Sequence, residues 1–135
     1  MTIPKPILSI IQDKNPEFYQ SLQIRLVRMQ RSGAYSAQML AQYAGLLFLL
    51  SQNPGLVAVP NQAIDAVLHS HMEQPEFAQD MARLFGDRAA VEHVPGAGSK
   101  AGFAATKALF EQEFQVSYEG GAAACELFIK GDRPS

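Results

Sequence analysis

Apolar residues recur at helical intervals through most of this chain. Phe18, Leu22, Leu26 and Met29 follow one another at steps of four, four and three, forming one stripe of a helix that faces a core. Asn15 as cap, Pro16 at the first helical position, Glu17 in the first turn and Gly33 at the far end are its start and stop signals. Ser36 then caps AQMLAQYAGLLFLLSQ, whose apolar positions spread around nearly the whole circumference until Asn53-Pro54-Gly55 ends it. A helix oily on all sides belongs at the centre of the molecule. GLVAVP, with Pro54 before it and Pro60 closing it, reads as a buried extended linker rather than a sheet strand. Asn61 begins a third helix. Pro75 opens a fourth, with Phe77, Met81, Leu84 and Phe85 on its inner face and its stop at Gly86. After a Gly/Pro-containing loop over 86–98, Ser99 caps a fifth helix that carries Phe103, Phe110 and Phe114 along one side, with Leu109 adjoining.

Beyond Phe114 the periodicity fades. The tail SYEGGAAACELFIKGDRPS holds Gly120-Gly121 and then a short strand-like run at 125–129. No internal repeat of solenoid length is present. The expected fold is all-α: a compact bundle of about five helices, a single helical domain over 1–116, and a short irregular Gly-containing C-terminal tail over 117–135.

Composition narrows the class further. A chain of 135 residues, 47% apolar and 18% charged, is one globular domain, neither disordered nor fibrous. Its single cysteine, Cys125, has no internal disulfide partner, which favours a reducing, cytoplasmic setting. The N-terminal MTIPKPILSIIQDK is too brief and too proline-interrupted for a signal peptide. AGLLFLL falls far short of the ~20 residues that cross a bilayer, so no membrane partner is expected. Residues 1–33 hold five cations against two acids, and Arg25, Arg28 and Arg31 follow at i, i+3 spacing. Without interleaved aromatics this stripe reads as a solvated helix face in preference to a nucleic-acid contact.

The candidate chemistry lies in AIDAVLHSHM, residues 63–72, which holds two of the three histidines. On a helical wheel His71 falls almost on the direction of Ile64, flanked by Val67 and Leu68, and so points inward. Asp65 and His69, four apart, share a different flank. On an unbroken helix His69 and His71 therefore face nearly opposite ways, and they converge only if the last turn unwinds around Ser70. Pro75 disfavours helical geometry at Gln74 and ends the helix near His71. His93, in the loop, is a further ligand in reach, with Glu92 beside it as an oxygen donor. Asp65, His69, His71 and His93 together have the chemistry for one Zn2+ or Fe2+ ion. The competing reading makes His71 a core residue and Asp65–His69 an exposed pair that merely supports its helix.

The run from PGLVAVPNQAIDAVLHSHMEQPEF through MARLFGDRAAVEHVPG, followed by ALFEQEF, resembles the glycine-rich domain-containing protein-like family. That family's pattern is a Pro followed by D-x-x-W-H-x-H, then a helix ending in F-G, then H-H-x-P. Pro60, Asp65, His69, His71, Asp80, Phe85, Gly86, His93 and Pro95 fall on its positions in order, within 43–114. Leu68 stands where the family has Trp, and Glu92 where it has the first of two adjacent histidines. The resemblance implies an all-α domain whose aspartate and histidines form a common, metal-binding site; it implies no particular reaction. Of the family's Gly-rich tail this chain has only the stub EGGAAAC.

Other motifs carry less. PGAGSKAG at 95–102 lacks the Walker spacing and a preceding strand, and reads as a linker with Ser99 as cap. Cys125 has no adjacent base and reads as a small apolar filler. No organic cofactor is indicated. Two readings result. In the first, a cytoplasmic helical protein binds a metal through His69, His71, His93 and Asp65; as an enzyme it would work through metal-bound water or dioxygen. In the second, it is a non-catalytic interaction module with structural histidines, whose partner is a protein or small molecule of unspecified kind.

Overall fold

The computed structural model describes residues 6–86 and 90–130. The helices are α1 (Ile7–Lys14), α2 (Pro16–Arg31), α3 (Ala37–Gln52), α4 (Gln62–Met72), α5 (Phe77–Phe85) and α6 (Lys100–Phe114). The strands are β1 (Val57–Ala58), β2 (Ala90–Pro95) and β3 (Cys125–Lys130). The three side-chain caps expected from the sequence all form, and Asn61, expected to begin its helix, caps it too. Asn15 accepts from the Phe18 amide, Ser36 from Met39, Asn61 from Ile64 and Ser99 from Gly102. Pro75 does not open α5. The helix starts two residues later, and Glu76 at its N-cap makes no side-chain cap.

α3 is the axis of the molecule, with every residue from Gln42 to Leu50 buried. Phe48 on α3 meets Phe18 on α2 edge-on at 5.7 Å and Phe114 on α6 at 6.2 Å. α6 can approach this closely because Gly45 has no side chain: a Cβ there would lie 2.9 Å from Phe110 Cε2 and 3.1 Å from Phe114 Cε2.

The protein is helix-dominated but not all-α. A three-stranded antiparallel sheet has the order β1-β3-β2, so the strand from the tail is its centre. The strand-like run expected at 125–129 is β3, while two segments read as linker and loop are sheet as well. The cause is physical: β1 is only two residues long and proline-flanked, β2 lies among glycines and prolines, and each finds its partner far away in sequence. Pro95 is tolerated because β2 is an edge strand. The approach to β3 also docks onto the start of α4. Asn61, fully buried, donates through Nδ2 to Gln42 Oε1 and to the Glu119 carbonyl, while its amide donates to the Tyr118 hydroxyl. Backbone bonds from Gln62 to Gly121 and from Ala123 to Pro60 complete the join. This seam fixes the first turn of α4 against the beginning of β3.

Candidate metal centre

α4 carries polar groups on two opposite flanks. On the outer flank the i, i+4 spacing brings His69 Nε2 to 3.3 Å from Asp65 Oδ1. From the sheet, His93 Nε2 reaches to 3.7 Å from the same oxygen. The rings of His69 and His93 stand perpendicular, with centroids 4.9 Å apart. One donor atom from each of Asp65, His69 and His93 lies within 4.8 Å of the others, close enough for a single ion to reach all three.

Burial across this site is uneven. The His69 side chain is 55% exposed and that of Asp65 28%, but the His93 side chain is only 8% exposed. His93 Nε2 is buried and has no hydrogen-bond partner. A buried polar atom left unpaired costs about 1–3 kcal/mol, and this one lies 3.7 Å from a carboxylate oxygen and beside a second imidazole, a geometry that could hold a metal ion.

A fourth group stands at the same oxygen. Cys125, buried at the start of β3, donates from Sγ to Asp65 Oδ1 at 3.3 Å. Burial, and then the bond to Asp65, push its thiol up to about 12. The turn between β2 and α6 closes over this cysteine. A Cβ on Gly98, whose φ is +130°, would lie 2.8 Å from the Cys125 carbonyl oxygen, so only glycine fits there.

His71 is not part of this group. Its side chain is fully buried on the inner flank, Nε2 2.8 Å from Asp80 Oδ2 and Nδ1 2.7 Å from the Tyr43 hydroxyl. A carboxylate only accepts, so Nε2 carries the proton and Nδ1 accepts from Tyr43. Both nitrogens are used and neither is free for a metal. The expectation that His71 joins His69 fails for a geometric reason: α4 stays helical through Met72, and the turn at Ser70 does not unwind. Arg25 Nε donates to the same Asp80 oxygen at 2.7 Å, so one network ties α2, α3, α4 and α5 together. Burial holds His71 below the ordinary histidine value against the pull of Asp80. Burial alone would raise Asp80, but hydrogen bonds from Arg25 and His71 outweigh it and keep the carboxyl below its usual range. Tyr43 is pushed upward by burial and by the Asp80 charge.

Three further sequence expectations change. Glu92 faces away from His93, because neighbouring residues of a strand take opposite faces and Glu92 pairs Phe128 while His93 pairs Leu127. Arg25 is buried, which breaks the solvent-facing stripe of three arginines. Its position between Leu22 and Met29, on the apolar stripe itself, was the signal for that burial. Cys125 was missed because the sequence separates it from Asp65 by 60 positions. Comparison with protein-family models, with curated proteins and with solved structures returns no match for this chain. No helix among the described residues is long and apolar enough to cross a membrane.

Proposed function

We propose that this protein binds one divalent transition-metal ion through Asp65 Oδ1, His69 Nε2 and His93 Nε2. The observation that carries the reading is the buried, unpartnered Nε2 of His93, directed at a carboxylate and a second imidazole. Two neutral imidazoles and one carboxylate form a donor set that suits zinc and non-haem iron, and the ligands come from two elements far apart in sequence. The ion would therefore pin α4 to the edge strand β2. The expected cytoplasmic setting and the likeness to the glycine-rich domain-containing protein-like family belong to this proposal, resting on the lone thiol and on the Asp-x-x-x-His to His-x-Pro pattern.

Protein purified without an affinity tag and assayed for metal content tests it. An equimolar ion that is absent from His69→Ala and from His93→Ala supports the site. A metal-free, folded protein that takes up neither zinc nor ferrous iron at micromolar concentration removes it, and leaves the histidines as structural residues of a non-catalytic module.

A further inference from the structure

A second polar site shares no residue with the metal centre. The end of α2 and the turn between α4 and α5 enclose an open cleft of about 570 Å3, inside the ~300–1,000 Å3 range of small-molecule sites. Arg25 and Arg28 reach it from α2 and Glu76 from the turn, with Met29 and Pro75 as apolar wall.

The charges of this cleft are incompletely matched. Arg25 is already neutralised, since its Nε donates to Asp80 Oδ2 at 2.7 Å in the buried network. Arg28, with a side chain 63% exposed, and Glu76, 33% exposed, are left as the cation and the anion that the cleft presents. Glu76 stands between the two guanidinium groups and bonds to neither: Oε2 is 3.9 Å from Arg25 Nη1 and Oε1 is 3.7 Å from Arg28 Nη1, both beyond hydrogen-bond length. Oε2 is buried with no hydrogen-bond partner. Although Glu76 is the N-cap residue of α5, its side chain makes no cap there. A carboxylate held this way keeps its acceptor capacity for something else.

The spacing of the two charges identifies what that is. Backbone bond lengths hold the ammonium nitrogen and the nearer carboxylate oxygen of a free α-amino acid about 2.7 Å apart. With charge-assisted hydrogen bonds of about 2.8 Å to Glu76 Oε1 and Arg28 Nη1, those two atoms close a four-cornered ring of alternating charge. Its fourth side is the observed 3.7 Å gap. A simple anion would meet the Glu76 carboxylate and a simple cation the Arg28 guanidinium, whereas a zwitterion satisfies both. We infer that this cleft binds a free α-amino acid with an aliphatic side chain, its ammonium on Glu76, its carboxylate on Arg28 and its side chain along Met29 and Pro75.

Amide chemical-shift titration of the isotope-labelled, full-length protein with L-leucine, L-valine and L-methionine, each to millimolar concentration, tests this without reference to any metal. At least one of the three should bind saturably, with the largest shifts at the end of α2 and the turn before α5. The corresponding amine, which lacks the carboxylate, and the corresponding acid, which lacks the ammonium, should each bind about 10–100-fold more weakly, the worth of one hydrogen bond to a charged group. Glu76→Gln and Arg28→Gln should weaken the amino acid by the same factor. Neither change touches the Arg25–Asp80 bond, and far-ultraviolet circular dichroism checks that both variants are folded. The wild-type comparison of amino acid, amine and acid decides by itself if a variant unfolds. No saturable binding of any of the three amino acids overturns the inference. So does binding that either single-charge analogue matches, or that both variants retain unchanged.

Discussion

His69 and His71, two positions apart on α4, belong to different chemistry: the first is 55% exposed beside Asp65 and His93, and the second is wholly buried between Tyr43 and Asp80. An unbroken helix permits nothing else, since residues two apart lie on nearly opposite sides. The outer side has a surplus of donor atoms and the inner side has every polar atom of His71 paired. The two histidines should therefore separate cleanly under mutation.

For His71→Ala the expected loss is in stability. The change strands the Tyr43 hydroxyl, removes one of two hydrogen bonds to Asp80 and opens a cavity beside Phe77, whose ring packs edge-on against the imidazole at 4.8 Å. Breaking a buried, charge-bearing network costs about 3–5 kcal/mol. Urea unfolding measures the loss. Metal content of the folded variant should equal that of the wild type, whereas a loss of metal with stability unchanged would put His71 back among the ligands.

His93→Ala has the opposite signature. In metal-free buffer it deletes a nitrogen that is already unpaired, so stability should change by no more than the ~1–3 kcal/mol of ordinary side-chain truncation. Zinc is expected to separate the two proteins. A ligand that binds only the folded state at 100 times its dissociation constant stabilises by about 2.7 kcal/mol, and that increment should appear in the wild type and vanish in the variant. Thermal unfolding with zinc and with a chelator reads the difference.

Much of this architecture is written locally. The caps at Asn15, Ser36, Asn61 and Ser99 each need only three residues of context, and each makes its bond. The Asp65–His69 pair is equally local, one helical turn on one flank. The sheet is not. Val57 pairs Phe128 and His93 pairs Leu127, and no window of sequence short enough to show periodicity contains either pair. Once β2 is a strand, His93 must turn toward α4 and Glu92 away, which a loop reading could not decide. Cys125 depends on both the sheet register and the Asn61 seam, so its place beside Asp65 is the least legible feature of the site.

Gly45→Ala tests the packing between α3 and α6. Alanine improves intrinsic helix stability by roughly 0.5–1 kcal/mol over glycine. The new Cβ, however, meets the fully buried rings of Phe110 at 2.9 Å and Phe114 at 3.1 Å, and Ile7 at 3.2 Å. Overpacking of this kind costs about 1–3 kcal/mol, so the net change should be destabilising by about 1 kcal/mol. Chemical denaturation of the variant gives the sign, and a gain in stability would mean that α6 shifts freely.

The buried network also fixes how stability responds to acid. Asp80 is held below its ordinary value of 3.8 by Arg25 and His71, with Glu76 the next charge beyond Arg25. A carboxyl lowered in the folded state binds its proton more readily in the unfolded chain. Its contribution is therefore complete above pH 3.8 and is lost as the pH falls from there through the lower folded value. His71 acts in the same direction nearer neutrality: its value is lowered from 6.5, so the unfolded chain takes up that proton first. Asp80→Asn should remove the acid-dependent part belonging to Asp80. At neutral pH the variant should be less stable by about 3 kcal/mol, because Arg25 is left buried without its carboxylate. Below pH 3.8 its unfolding free energy should fall less steeply than that of the wild type. Urea midpoints measured from pH 7 down to the acid transition compare the two slopes. Parallel curves for the two proteins would show that the Arg25–Asp80 pair does not couple folding to pH.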